Sequence, residues 1–364
     1  MEDEKNISEY LCMNGGNGPL SYANNSSYQK AAVICSKAMV KEAIADMFDI
    51  QQSSVPIRIA DLGCSVGPNT FIAVQNIVEA IEQKYKSQGL SSNIAEFQVY
   101  FNDHVSNDFN TLFASLPHDR RYFAVGVPGP FQGRLFPKGS IHFIYSSYAL
   151  HWLSNIPGEV LDQNSPAWSK EKIHYTNDTN KLLEAYSSQF GQDFQSFLNT
   201  RAQEIAPGGL MALLIPVVPN GTLPSVSFIC LLYELLGFSL MDMAQEGLVS
   251  DAKLHSFNLP IFYASPQELE DLVRRNGCFS IEKMVTLDNQ MKHSITCDDY
   301  ELCIMHIRVG TELLIKEHFG SEIVDELFDR FTEKVAEKSH YIFKHTFMDN
   351  WVEQFVLLKR LISS

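Results

Sequence analysis

Up to residue 217 the chain alternates short apolar runs with longer stretches in which apolar residues return every three or four positions. The run that starts at Ile57 and passes through ADLG has the pattern of a buried strand. So do 95–101 (AEFQVYF), 121–127 (RYFAVGV), 140–146 (SIHFIYS) and 209–217 (GLMALLIPV). A helix is predicted over 28–48, carrying Ala32, Ile34, Met39 and Ala43. Another follows Pro68, where Val74, Ile77, Val78 and Ile81 share one face. A short helix capped by Ser106 or Asn107 and a long one over 181–205, stopped by Pro207-Gly208-Gly209, complete the alternation. Strands that alternate with helices in this way predict a parallel sheet. Beyond residue 217 the alternation breaks. Helices over 226–247 and 267–275 precede a strand at 278–287, and helices at 298–318 and 321–340 precede a last strand at 351–361. That last strand is expected antiparallel to 278–287 at the sheet edge. Segments 50–55 and 155–180 read as loops, and 14–19 as a turn cluster rich in glycine.

Residues 56–69, PIRIADLGCSVGPN, carry the most chemistry. Gly63 and Gly67 bracket a tight turn, and Pro68 stands where a first helical residue needs no N–H. Such a strand, glycine turn and helix let a ligand approach the backbone and meet free N–H groups. Dinucleotide sites use G-x-G-x-x-G, whereas the pattern here is D-x-G-x-x-x-G with Asp61 at the strand end. A carboxylate there repels phosphate and attracts an ammonium. The expected cofactor is therefore S-adenosylmethionine, which has an amino-acid tail, a sulfonium and no phosphate. Asp103, after the second strand, stands where an acid commonly binds ribose hydroxyls. Phe131, Tyr148 and Trp152 follow the third and fourth strands, so all these residues are expected on the carboxyl edge of the sheet, where such folds bind ligands.

The predicted fold class is α/β: a Rossmann-like class I methyltransferase core, mostly parallel with an antiparallel closing strand, under an α-helical cap. Its expected parts are an N-terminal lid segment (1–30), the core (31–217), a first part of the cap (218–276), and closing strands with further cap helices at 298–340 (277–364). Composition narrows the partners. A formal net charge of −15 argues against nucleic acid, because phosphate contacts need Lys and Arg. It permits an anionic small substrate, since surface charge is screened by salt while the dipoles of a pocket are not. Seven scattered cysteines without a C-x-x-C pair predict reduced thiols in a cytoplasmic protein. The start, MEDEKNISEY, is acidic and polar, so no signal or transit peptide is expected. The apolar stretch 226–244 is interrupted by Glu234 and Asp242, which predicts a buried helix rather than a membrane span.

The pieces SYANNSSYQ, ADLGCSVGPN, FNDHVSNDFN, GVPGPF, RLFP, SYALHWLS, RAQEIAPGG and SFNLP stand in this order over most of the chain. Together they resemble the plant salicylate, benzoate and theobromine methyltransferase family. The resemblance implies a helical cap, a homodimer, and methylation of small plant acids or xanthine alkaloids with S-adenosylhomocysteine as by-product. By position it implies that Ser26, Asp61, Cys64 and Asn69 hold the methionine part of the cofactor, with Tyr22 nearby. Asp103 and His104 would flank the ribose, and Pro130, Phe131 and Ser147 the adenine. Gln29 and Trp152 match the pair that clamps an acceptor carboxylate through a side-chain amide and an indole N–H. Tyr148 and His151 match substrate-contact positions that vary. SYALHWLS and KIHYT look most like members esterifying iridoid acids such as loganic acid.

Several positions depart from the family pattern. Pro130 replaces a Ser and His104 a Leu; His255 and Ser169 replace an Asp and an Asn that some members use for magnesium. Without that carboxylate and amide a hard-cation site is not expected. No general base is expected either, because a carboxylic acid near pKa 4 is already ionised at neutral pH. The protein has to align the two reactants and exclude water. Neutral donors such as Gln29 and Trp152 suit that task, since they hold a carboxylate without quenching it. Cys64 falls against the cofactor rather than the acceptor, so no covalent nucleophile is expected. Two rival readings remain: a xanthine N-methyltransferase on the same scaffold, and an inactive relative, a cofactor-binding or dimerising partner that lost activity, with Pro130 as the suspicious feature.

Overall fold

The computed structural model describes residues 12–50, 56–169, 172–176, 180–344, 350 and 352–362. Most of the expected 50–55 loop, the first eleven residues of the expected lid, and Trp351 lie outside these. Seven strands form one sheet: β1 (Ile57–Leu62), β2 (Phe97–Asp103), β3 (Phe123–Pro128), β4 (Ile141–Ser147), β5 (Ile205–Val217), β6 (Phe279–Leu287) and β7 (Val352–Arg360), in the order β3-β2-β1-β4-β5-β7-β6. The first five strands are mutually parallel, and β7 runs antiparallel to both β5 and β6. Helices α1 (Tyr22–Asn25) and α2 (Ser27–Met47) precede β1, α3 (Asn69–Ser87) joins β1 to β2, and α4 (Phe109–Ala114) joins β2 to β3. Between β4 and β5 lie α5 (Gly158–Leu161) and α6 (Asn180–Glu204). Between β5 and β6 lie α7 (Phe228–Gln245), α8 (Asp251–Ser256) and α9 (Pro266–Asn276). Finally α10 (Tyr300–Phe319) and α11 (Val324–Ile342) precede β7.

Strands buried on both faces need apolar side chains at every position, and β5 has them. Leu210, Ala212 and Leu214 join the core beneath α2 and α3, while Met211, Leu213 and Ile215 join the core beneath α6 and the cap. The predicted face of α3 holds, with Val74, Ile77, Val78 and Ile81 fully buried. The cap forms where α7, α10 and α11 pack on one another. Helix α7 has the length and apolarity of a membrane span, but it buries Leu232, Leu235, Leu236 and Leu240 in the cap core.

Five expectations need correction. The last strand is not at the edge: β7 lies between β5 and β6, and β6 is outermost. The physical reason is visible in the residues, since Phe355 to Leu358 are buried on both faces while β6 carries Glu282 and Lys283, charges that suit an open edge. Next, Pro207-Gly208-Gly209 does not separate helix from strand. β5 starts at Ile205, and the three residues are taken up in a register shift against β4. Helix α4 is capped by Asp108, not by Ser106 or Asn107; the Asp108 carboxylate accepts from Thr111 N. Helix α9, expected in the cap, packs against α6 and β6 in the helical layer of the sheet. In the expected loop 155–180, Ile173, His174, Tyr175 and Thr176 are buried beneath the cap, with Thr176 Oγ1 donating to Cys230 O at 2.8 Å.

Candidate active site

The turn after β1 is bolted to the end of β2. Gly63 N and Cys64 N donate to Asn102 O at 2.9 and 3.0 Å, and Ser65 N donates to Asp103 Oδ2 at 2.7 Å. His104 N donates to Asp103 Oδ1 at 2.8 Å, so both carboxylate oxygens hold backbone. These bonds use the N–H groups of the turn itself. The glycines are needed for conformation and packing: Gly63 has φ +81°, and a Cβ there would stand 2.4 Å from Ala149 Cβ. Gly67, at φ +95°, makes room for the Phe71 ring. Asp61 is 3% exposed and accepts a hydrogen bond from Thr70 Oγ1 at the start of α3. Burial pushes the carboxyl of Asp61 up to about 7 and that of Asp103 up to about 6. Among the described residues no Lys or Arg pairs with either. Two buried carboxyls, with the charge of Asp103 raising the proton affinity of Asp61 further, make a place for a cation.

Above this turn lies a cavity of about 960 Å3, open to solvent at its mouth. Of the residues expected at the cofactor, Tyr22, Asp103, His104, Phe131 and Ser147 line it. Ser26, Asp61, Cys64, Asn69 and Pro130 do not line it. Asn69 Nδ2 donates to Ser26 Oγ at 3.0 Å and to Ser26 O at 3.2 Å, which ties the start of α2 to that of α3. Cys64 is buried against its own turn, and burial pushes its thiol up. Pro130 is exposed and opens a turn closed by Gly133 N at 3.1 Å. Its neighbour Phe131 is buried, edge-on to Phe197 at 6.0 Å.

The motifs RLFP and RAQEIAPGG explain how that turn is held. Arg201 and Glu204 form a fully buried ion pair at 2.6 Å. Arg201 donates onward to Phe131 O at 3.0 Å and Gly133 O at 2.8 Å. Glu204 Oε1 accepts from Leu135 N, Phe136 N and Arg134 Nε. The last turn of α6 thus fixes the 131–136 segment beside the cavity.

All four residues expected at the acceptor, Gln29, Tyr148, His151 and Trp152, line the same cavity. Among the described residues, Tyr148 and Ser65 are the non-glycine residues with left-handed backbone, at φ 53° and 50°, and both line it; strain of this kind concentrates at functional sites. Tyr148 OH donates to the buried Glu353 of β7 at 2.9 Å. His151 stacks on Tyr263 with ring centroids 5.3 Å apart, and burial pushes its pKa down to about 3, so it is neutral. Gln29 Nε2 donates to His306 Nδ1 at 3.0 Å, while Gln29 Oε1 is buried without a partner. The indole N–H of Trp152 has no protein acceptor among the described residues, and its ring faces Gly310 of α10. The chain at 12–25 closes over this end: Asn14 N donates to Val309 O at 3.3 Å, and Gly16 N to Asp108 Oδ2 at 2.9 Å. His255, one of the departures from the family pattern, packs edge-on against Trp168.

Sequence reasoning missed His306, Tyr263, Gln132 and Ser65, all of which line the cavity. Ser65 stood inside the turn already singled out, and Gln132 next to Phe131. Nothing local marks His306 or Tyr263.

The family described as SAM dependent carboxyl methyltransferase matches residues 8–361. Loganic acid O-methyltransferase of Catharanthus roseus is 45% identical over 354 residues, 96% of this chain and 94% of that protein. Farnesoic acid carboxyl-O-methyltransferase of Arabidopsis thaliana is 39% identical over 331 residues, covering 91% and 94%. A 3,7-dimethylxanthine N-methyltransferase of Camellia sinensis is 36% identical over 342 residues, covering 91% and 92%. A solved structure of a loganic acid methyltransferase with S-adenosylhomocysteine superposes at a TM-score of 0.91, with 44% identity, covering 96% of this chain and 99% of that one. With a family model matched over nearly its whole length and a 45% identical relative, the chain belongs to the SAM-dependent carboxyl methyltransferases.

Proposed function

We propose that the protein methylates the carboxylate of a small plant acid of iridoid, benzoic or salicylic type, and that Gln29 and Trp152 hold that carboxylate. The observation that carries this reading is a pair of neutral donors lining one cavity, with the Trp152 indole N–H and the second hydrogen of Gln29 Nε2 both free of a protein acceptor among the described residues. S-adenosylmethionine, when bound, supplies an electrophilic methyl on a sulfonium. The chain's part is to bind, orient and keep water out. His151 and His306 border the cavity as neutral imidazoles, so no cation competes for the acceptor's negative charge. Ser26 and Asn69 act from behind the cavity wall by fixing the helix starts; Asp61, also behind it, acts on the cofactor through its charge, while Tyr22, Asp103, His104, Phe131 and Ser147 meet the cofactor. Aromatic walls from Tyr148, Tyr233 and Tyr263 suit a ring-bearing acid, and loganic acid, named for a 45% identical relative, is the first candidate.

The test is methyl transfer from labelled cofactor to a panel of benzoic, salicylic, loganic and farnesoic acids and xanthines. Ester formation with at least one acid, and none with its methyl ester, is expected. Methylation of xanthines and of no acid overturns the reading. The same reading includes a homodimer in the cytoplasm, as the family resemblance implies and the seven free thiols suit. Light scattering at the 41.1 kDa mass of one chain would remove the dimer from it.

A further inference from the structure

We propose that His306 is a positioning residue for the acceptor: its Nδ1 takes one hydrogen of the Gln29 amide and so leaves the other hydrogen of the same nitrogen for the acceptor carboxylate. This rests on the reading of Gln29 as a carboxylate donor. A glutamine amide is nearly symmetric in shape, and a half-turn exchanges its nitrogen and oxygen at little steric cost. After such a turn the oxygen would face the carboxylate, lone pair against lone pair. A donor clamp built from glutamine therefore needs a neighbour that accepts and does not donate at the contact. A hydroxyl or a water molecule does both. A neutral imidazole with its proton on Nε2 only accepts at Nδ1.

His306 meets that requirement. It lies on α10 and Gln29 on α2, and the contact is 3.0 Å. Burial pushes its pKa down to about 4, so the ring is neutral under ordinary conditions. The ring stands between the main cavity and a second, largely apolar one of about 640 Å3, bordered by Tyr28, Ile229, Leu232 and Met305. On the other side of the amide, Gln29 Oε1 makes no hydrogen bond, so the orientation is set from the nitrogen side. The backbone beneath His306 is anchored, since Ile307 is buried and its carbonyl accepts from Thr311 Oγ1 at 2.8 Å.

The experiment compares His306→Leu, which keeps bulk and removes the acceptor atom, with His306→Asn, which puts an oxygen where Nδ1 stood. The substrate is the acid of the panel above with the highest kcat/KM, and calorimetric binding of S-adenosylhomocysteine checks that each variant is folded. His306→Leu is expected to raise the acid's KM on the order of tenfold, the scale of a hydrogen bond to a charged group, with unchanged S-adenosylhomocysteine affinity. His306→Asn is expected to recover most of the loss. Because His306 acts through Gln29, the double variant Gln29→Ala/His306→Leu is expected to be no worse than Gln29→Ala alone. If His306→Leu does not fold, His306→Phe carries the same comparison. An unchanged KM in the apolar variant, or a double variant worse by the product of the two singles, overturns the proposal while leaving Gln29 as clamp. A silent Gln29→Ala removes the clamp, and this role with it.

Discussion

Asp61 and Asp103 share one deficit, a missing positive charge, and this makes the site sensitive to pH. An unfolded chain releases these protons near pH 4, whereas the folded, cofactor-free chain keeps them to about pH 7 and 6. Their contribution to the stability of the free protein is full below pH 4 and is lost as pH rises through 6 and 7. A bound cation favours the carboxylates, so binding releases protons, and affinity for S-adenosylmethionine is expected to rise with pH and level off above about 7. Below that, each pH unit weakens binding by up to about tenfold per proton released. Calorimetry in buffers of different ionisation heat measures the release directly; an affinity flat from pH 5.5 to 8 contradicts it. At saturating cofactor the rate itself should stay flat above about pH 6, because the acceptor is already ionised. Asp103→Asn should cost roughly 1.5–3 kcal/mol of cofactor binding. Both acids were legible in the sequence because each follows an apolar strand. His306 and Glu353 were not, for they reach Gln29 and Tyr148 across 277 and 205 residues, and no local period encodes that contact.

Segments between the regular elements are held by side chains from other elements. Glu204, at the end of α6, bonds three groups of the 134–136 segment besides its partner Arg201. Removing one member of a buried pair leaves the other uncompensated, so Glu204→Gln is expected to destabilise the fold by about 3–5 kcal/mol. Arg201→Met should also loosen Phe131 and weaken cofactor binding more than acceptor binding. Thermal melts and separate titrations of the two ligands distinguish these effects. The segment before α1 is latched by Asp108, which bonds Gly16 N and caps α4 through Thr111. Asp108→Ala should cost about 1 kcal/mol of helix capping and expose 12–21 to protease. A cleavage rate equal to that of the wild type would mean the latch holds nothing. The glycine cluster was expected to belong to a lid. Its latch was not, because Ser106, Asn107 and Asp108 are all good capping types and propensity cannot choose among neighbours.

On the scale of the molecule, the alternation of strand and helix through β5 was enough to give a parallel sheet, and the main cavity lies at its carboxyl edge. Strand order after β5 was harder. Periodicity tells how deeply a strand is buried, but β6 and β7 had to be ranked against each other, and what distinguishes them is Glu282 and Lys283 in the middle of β6 against the uncharged run from Phe355 to Leu358 in β7. That placement carries Glu353 to Tyr148. Tyr148→Phe takes one donor from the buried carboxylate and is expected to lower stability by about 1–3 kcal/mol. It should change the acceptor's KM while leaving cofactor affinity alone, a split that steady-state kinetics and calorimetry read together.

The position of β7 also sets a timetable for the enzyme's birth. Val217 at the end of β5 pairs with Val352 at the start of β7, so during synthesis the rim of β5 stays unsealed until the ribosome has made the whole of the cap. Contacts this distant in sequence form slowly, and an unsealed rim invites a strand from a neighbouring nascent chain. Chains stalled after α11 should therefore bind no S-adenosylhomocysteine and cling to chaperones. Release should come only when residues 352–360 have cleared the exit tunnel and slid between their two partners.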